Sequence, residues 1–282
     1  MYMPVNEGFE ELVHIIPLGY EIDRAVRPFE EMKAHRVYLI SMADNEKYNS
    51  PEEIAMTNRE HEYEERVKNI LSDQGIYVIT YRIDMFDIPD IIRLISDIII
   101  TEQTSRNRIY VNMSACGRLT SVGATLAAMA HGVHLYYVRA DRYAAGDDEI
   151  ADHGLSICTS SRIWTLDNIR ILLPAPLSIK ILDLLTKSDS GLYADELITC
   201  LIEQNTPGYD QPYWARPARE RRRIQSNYLT KLNNNNLSKL EKNGYITREK
   251  VGRRSHITIT GSGQFIAGIV GYPNGLPSHL YS

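Results

Sequence analysis

No run of ~20 apolar residues occurs in this 282-residue chain, so no segment is suited to cross a bilayer as a helix. The opening MYMPVNEGFEELVHII carries no basic stretch ahead of its apolar run, which argues against a secretory leader. Cysteine is sparse: Cys116, Cys158 and Cys200 are far apart and odd in number, which suits a reducing cytoplasm and gives no metal-ligand spacing. His14, His35, His61, His131, His134 and His153 form no metal pattern with acidic residues, and each reads as a core or surface histidine. Neither G-x-G-x-x-G nor G-x-x-x-x-G-K-[ST] is present, which removes support for dinucleotide cofactors and for Walker-type ATP hydrolysis. Neither a cofactor nor a metal is therefore expected.

What is present is the composition of a folded protein, 43% hydrophobic and 24% charged, with an uneven charge distribution. Residues 1–169 hold 16 Lys/Arg against 27 Asp/Glu, a net of −11. Residues 170–260 hold 15 against 9, a net of +6, and the last 22 residues carry no such charge. An acidic front and a basic rear imply two domains with different partners, that of the rear being a polyanion.

The front alternates short β-branched runs (11–17, 36–41, 76–82, 108–112 and 133–138) with helical patterns at 23–33, 51–74, 88–104 and 118–131. Five strands joined by crossover helices predict a Rossmann-like parallel sheet with helices on both faces. Residues 139–170 are less periodic, with room for extra strands at 155–158 and 163–166, and LLPAP at 172–176 supplies a hinge. The rear offers helices at 177–187 and 194–204, a long polar helical region at 217–242, and two β-prone segments around Gly252, Arg253, Arg254 and Ser255. This order predicts a mainly α winged helix-turn-helix. The expected organisation is a ligand-sensing domain at 1–140, a connector at 141–173 and a DNA-binding domain at 174–282.

Chemistry concentrates in RIYVNMSACGRLTSVGATLAAM, residues 108–129, a strand, a polar turn and a helix rich in small residues. In a parallel α/β sheet such a turn, at the carboxyl end of a strand, is where ligands bind. Arg118 heads the helix, where a cation opposes the helix dipole, so a ligand is the better reason for its position. Asn112, Ser114, Ala115, Cys116, Gly117 and Arg118 are the candidate residues, suited to holding phosphate without a metal. The turn after the first strand, LGYEIDR, adds Gly19, Tyr20, Glu21, Asp23 and Arg24, with Tyr20 placed to stack on a base. Taken singly, Glu21 and Asp23 read more simply as turn residues, Asp23 as a helix cap. No base stands beside Cys116 in the sequence, so no catalytic residue is assigned.

In the rear, Arg219, Arg221, Arg222 and Arg223 suit phosphate anchoring, and Asn233, Asn234, Asn235 and Asn236 suit adenine readout in the major groove. A solvated helix face explains the arginines, but four consecutive helix-disfavouring asparagines fit that reading poorly. Lys239, with Lys242 beyond it, and Arg253 and Arg254 at the wing tip complete the expected contact set with double-stranded DNA.

LGYEIDR, VNMSACGRLTSVGA and LSKLEKNGYITREKVGRRSHITIT together resemble the archaeal transcription regulators that join a CARF (CRISPR-associated Rossmann fold) domain to a winged helix-turn-helix, over nearly the whole chain. The resemblance implies a cytoplasmic homodimer that binds a cyclic oligoadenylate, commonly cyclic tetra-adenylate, across its two-fold axis and answers by altered DNA binding. It assigns Gly19, Tyr20 and Asp23 to one ligand motif, and Asn112, Ser114, Gly117 and Arg118 to the other. The chain departs from the family at Ser114, Ala115 and Cys116, where many members carry Thr and Gly, and in a long insert at 205–218. Two alternatives stay open: a metal-independent ring nuclease that cleaves the cyclic ligand, and a regulator of a different nucleotide or metabolite.

Overall fold

The computed structural model describes residues 10–44, 47–159, 162–169, 171–252 and 254–271. The described chain up to Ile171 forms one compact unit and residues 172–270 another. Arg253, expected at the wing tip, lies outside the described residues.

The first unit runs β1 (Leu12–Pro17), α1 (Ile22–Val26) with a 3₁₀ turn Arg27–Glu30, β2 (Arg36–Met42), α2 (Pro51–Asp73) and β3 (Tyr77–Ile83). It continues through α3 (Ile88–Thr104), β4 (Arg108–Asn112), α4 (Arg118–His131), β5 (His134–Val138), β6 (Arg142–Tyr143), α5 (Asp147–His153), β7 (Ser156–Ile157) and β8 (Ile163–Leu166). The main sheet has the order β3-β2-β1-β4-β5-β8. Its first five strands are parallel, as the alternation of strands and helices predicts, while β8 closes the edge antiparallel to β5. β1 is central and buried on both faces, so an unbroken LVHII run suits it better than an alternating one. His14 belongs to this core, stacked 4.8 Å from Tyr110, and burial lowers its pKa to about 4.

Local chemistry sets the helix limits. Ser50 and Glu53 form a reciprocal capping box ahead of Pro51 at the start of α2. Asp87 caps α3, and α4 ends at Gly132 in the left-handed conformation. The small residues of α4 serve two surfaces. Ala124, Ala127 and Ala128 are buried, while Gly123 faces α3, where an added Cβ would lie 2.9 Å from Ile91.

The second unit contains α6 (Pro176–Thr186), β9 (Leu192–Tyr193), α7 (Ala194–Glu203), α8 (Ala218–Leu232), a π-helical turn Asn233–Leu237, α9 (Ser238–Lys242), β10 (Ile246–Val251), β11 (Arg254–Ile259) and α10 (Gly261–Gly268). Strands order as β10-β11-β9, a helix-turn-helix carrying a three-stranded wing sheet. Its core gathers Leu182 and Leu185 with Leu197, Leu201, Ile224, Leu232, Ile246 and Ile257. The insert after α7 folds into that core through Tyr209 and Tyr213, and the amide of Gln211 donates to the Tyr228 hydroxyl at 3.0 Å. Among the described residues no helix is long and apolar enough to cross a membrane.

Candidate functional site

The strand order reverses between β1 and β4. The chain leaves β1 toward β2 on one side, and β4 continues toward β5 on the other. Such a switch point opens a crevice at the carboxyl ends of both strands. The two turns singled out in the sequence flank it and are joined directly, the Gly19 amide donating to the Ala115 carbonyl at 2.8 Å. Ordinary side-chain space surrounds Gly19, whose added Cβ would sit 3.7 Å from the Cys116 Cα.

Burial divides the predicted residues into a platform and a face. Gly19, Glu21, Asp23, Arg24, Asn112, Ser114 and Ala115 are buried. Tyr20 and Cys116 are half-buried, and Gly117 and Arg118 are exposed. Asn112, expected among the ligand contacts, turns its side-chain amide into the fold. Its Nδ2 donates to the Arg24 carbonyl at 2.9 Å, and its Oδ1 accepts from the Ser114 amide and hydroxyl at 2.9 and 2.6 Å. The Ser114 hydroxyl also accepts from the Val138 amide at 3.0 Å, so it too is engaged within the fold. Arg24 donates to the Ser114 carbonyl at 3.0 Å and lies over the Tyr137 ring. Tyr20 is also anchored within the fold. Its hydroxyl donates to the Met56 carbonyl at 2.8 Å, and its ring stands edge-on to Tyr63.

Asp23 is not a helix cap. Its carboxylate accepts from the Cys158 amide at 2.9 Å and faces His153 Nδ1 at 3.2 Å. Glu21 accepts from the Ser156 hydroxyl at 2.8 Å, with its pKa raised by burial, and the Leu155 amide donates to the Tyr20 carbonyl at 2.7 Å. Residues 153–158 thus strap the first turn in place. The strap needs Gly154: at φ +83° an added Cβ would lie 2.4 Å from the Tyr20 carbonyl oxygen. The sequence left room for a strand at 155–158 but gave no sign of these partners, which lie 130 or more residues away in the chain.

The face that remains is the open N-terminus of α4. Gly117 supplies no side-chain cap, and Arg118 joins no hydrogen bond or ion pair among the described residues. Arg139, after β5, adds an exposed guanidinium resting 5.6 Å from the Trp164 ring centroid, a residue the sequence reading did not select. Burial holds the Cys116 thiol up at about 12, so it is neutral at physiological pH and no activated nucleophile. Among the described residues no group of three His, Cys, Asp or Glu is placed to hold a metal ion.

In the second unit Arg219, Arg221, Arg222 and Arg223 are exposed on α8 and join no ion pair among the described residues. Asn233, Asn234 and Asn235 are exposed about 18 Å farther along the helix, from a rise of 1.5 Å per residue. The basic and asparagine clusters are therefore two footprints on one long helix. Asn236 is corrected to a structural residue, buried and accepting from the Ser178 hydroxyl at 3.0 Å. Its inward turn accompanies the π-helical turn, which inserts a residue into the helical register. Asn233 accepts from Arg248, which also pairs with Glu241 and ties the wing to the helix. Arg254 is likewise not free for phosphate: it pairs with Asp195 at 2.8 Å and Glu196 at 3.0 Å, stacked 3.8 Å over Tyr193. Lys239 is exposed.

A Rossmann-like α/β domain followed by a winged helix defines the class. Residues 12–143 match the family model described as HFX_2341_N-like, N-terminal, and residues 178–271 match the DUF6293 C-terminal winged helix domain. No curated protein matches the chain. Among solved structures it is similar to Can2 from Sulfobacillus thermosulfidooxidans in complex with cyclic tetra-adenylate, at 14% identity and TM-score 0.38, over 91% of this chain and 63% of that one. Protein VC1899 from Vibrio cholerae is similar at 13% identity and TM-score 0.37, over 92% and 64% of the two chains. Enterococcus italicus Csm6 bound to cyclic hexa-2'-fluoro-hexa-dAMP is similar at 12% identity and TM-score 0.37, over 84% and 57%. The chain spans less than two thirds of the length of each.

Proposed function

We propose that this protein is a ligand-responsive, DNA-binding transcription regulator that senses a cyclic oligoadenylate, with cyclic tetra-adenylate the first ring to test. The observation that carries the reading is the joined pair of turns at the switch point, which rigidly presents an uncapped helix N-terminus and an unpaired Arg118. Helix amides and a guanidinium recognise phosphate, and the adjoining Tyr20 and Cys116 edges give the crevice an apolar border. The motif resemblance supplies the ligand class and the homodimer, in which two such faces meet across the two-fold axis. The winged helix supplies the output, with the four α8 arginines on phosphates and Asn234 and Asn235 nearest to base edges. Ligand changes DNA affinity only to the extent that it prefers one arrangement of the dimer.

Calorimetric titration of the purified protein with cyclic tetra-adenylate tests the proposal. One ring per dimer, together with ligand-dependent binding to promoter DNA, supports it. No heat with cyclic tetra- or hexa-adenylate overturns the ligand class. Intact ring disappearing over hours assigns the front domain ring-nuclease activity instead.

A further inference from the structure

A second cavity of about 330 Å³ opens in the first unit, apart from the switch-point crevice, between the carboxyl end of β2, the turn after β3 and the first turns of α2. That volume is at the lower end for small-molecule sites. Met42 and Met56 supply polarisable walls. The Tyr48 and Phe86 rings, 5.5 Å apart and steeply inclined, supply aromatic ones. Met56 and Phe86 are more than half exposed at the rim and leave apolar surface at its mouth.

Glu60 sits among these apolar groups without a hydrogen bond or ion pair among the described residues. Burial alone raises its pKa to about 7, so near neutrality the carboxyl is poised between two forms, neither of them satisfied. Glu53 adds a second carboxylate to the lining, kept ionised by the hydrogen bonding of the capping box. Among the described residues no cation lines the cavity, and Lys47 nearby is paired with Asp84 at 3.5 Å.

We infer that this cavity binds a small organic ammonium compound, with its cationic nitrogen on Glu60 and its apolar body between Tyr48, Phe86 and the two methionines. The charge pattern selects that class. An anion meets two carboxylates in an acidic domain, and a neutral apolar molecule leaves the Glu60 oxygens without a donor. A protonated amine supplies the donors and the charge, and aromatic faces attract cations. The hydroxyls of Thr57 and Tyr48 offer acceptors for its remaining N–H groups. This inference does not rest on the cyclic-nucleotide reading: no lining residue belongs to the switch-point turns, although the Met56 carbonyl accepts from the Tyr20 hydroxyl.

The test is a calorimetric titration of the full chain at pH 8 with 2-phenylethylammonium, 2-phenylethanol and 3-phenylpropanoate. The ammonium compound is expected to bind about tenfold or more tightly than the alcohol, the gain of one charge-assisted hydrogen bond, with the carboxylate weakest. Glu60→Gln, checked for an unchanged melting temperature, is expected to abolish the preference, and Phe86→Ala to weaken amine and alcohol alike. Equal affinities, absence of binding, or a preference that survives Glu60→Gln would overturn the assignment.

Discussion

Asn112→Ala separates support from contact at the switch point. In the folded chain the Asn112 amide serves the Arg24 carbonyl, the Ser114 amide and the Ser114 hydroxyl, all buried around the junction of the two turns. Truncation leaves two backbone groups without partners, each costing about 1–3 kcal/mol, while the Ser114 hydroxyl can turn toward another acceptor. A loss of about 3 kcal/mol of stability follows, confined to the first unit. Urea unfolding followed by tryptophan fluorescence reads this directly, because Trp164 lies in the first unit and Trp214 in the second. Removing either tryptophan by Phe substitution isolates the other signal. The expected result is an earlier Trp164 transition with the Trp214 transition unmoved, and a ligand affinity that falls only as the turns loosen. Asn112→Asp keeps the acceptor and loses the donor, so it is predicted to destabilise as well. If Asn112→Ala costs less than about 1 kcal/mol, below the range for an orphaned group, and still abolishes ligand binding, the positioning argument is wrong.

Arg118→Ala is expected to weaken cyclic oligoadenylate binding by tenfold or more, roughly the worth of one charge-assisted contact, without changing melting temperature; a fall in both would make Arg118 structural. Arg222→Ala should lower the slope of log affinity for DNA against log salt by about one, whereas Arg254→Ala should leave the slope unchanged, since Asp195 and Glu196 already neutralise it. Equal slopes for wild type and Arg222→Ala would remove α8 from the DNA surface. His14 is protonated in the unfolded chain but neutral in the folded one between pH 6.5 and about 4, so its contribution to stability is lost as pH falls through that window. The acid sensitivity of His14→Gln should be smaller by at most about 3 kcal/mol, measured as unfolding free energy at pH 7 and pH 4.5.

What the sequence could reveal depended on whether the information was local. α3 starts where Asp87 and Pro89 say it should, and α4 starts and stops where Gly117 and Gly132 say, because caps act within a few residues. The five parallel strands were equally plain, since each carries a short β-branched or aromatic run, continuous in β1, which is buried on both faces. The antiparallel pairing of β8 was not readable, because direction is set by partners distant in the chain. The switch-point residues were found, but their roles were partly inverted. Asn112, Ser114 and Asp23 have the chemistry of ligand contacts, and only burial shows that this chemistry is turned inward. Asn236 and Arg254 were misread for the same reason: a polar side chain in a promising stretch gives no sign of the Ser178 or Asp195 that occupies it. The four asparagines did mark something unusual, since helix-disfavouring residues coincide with the π-helical turn.

The strap formed by residues 153–158 changes where the front unit can be cut. Stopping the polypeptide at residue 140, where sequence patterning alone would place the cut, strips Asp23 of the Cys158 amide, Glu21 of the Ser156 hydroxyl and the Tyr20 carbonyl of the Leu155 amide. Two carboxylates would be left facing water on a turn that had relied on them for its shape. A front fragment that keeps the strap extends at least to Cys158, and one that also keeps the antiparallel edge of the main sheet extends through β8 to Leu166. A shorter fragment that fails to bind would say nothing about the natural ligand.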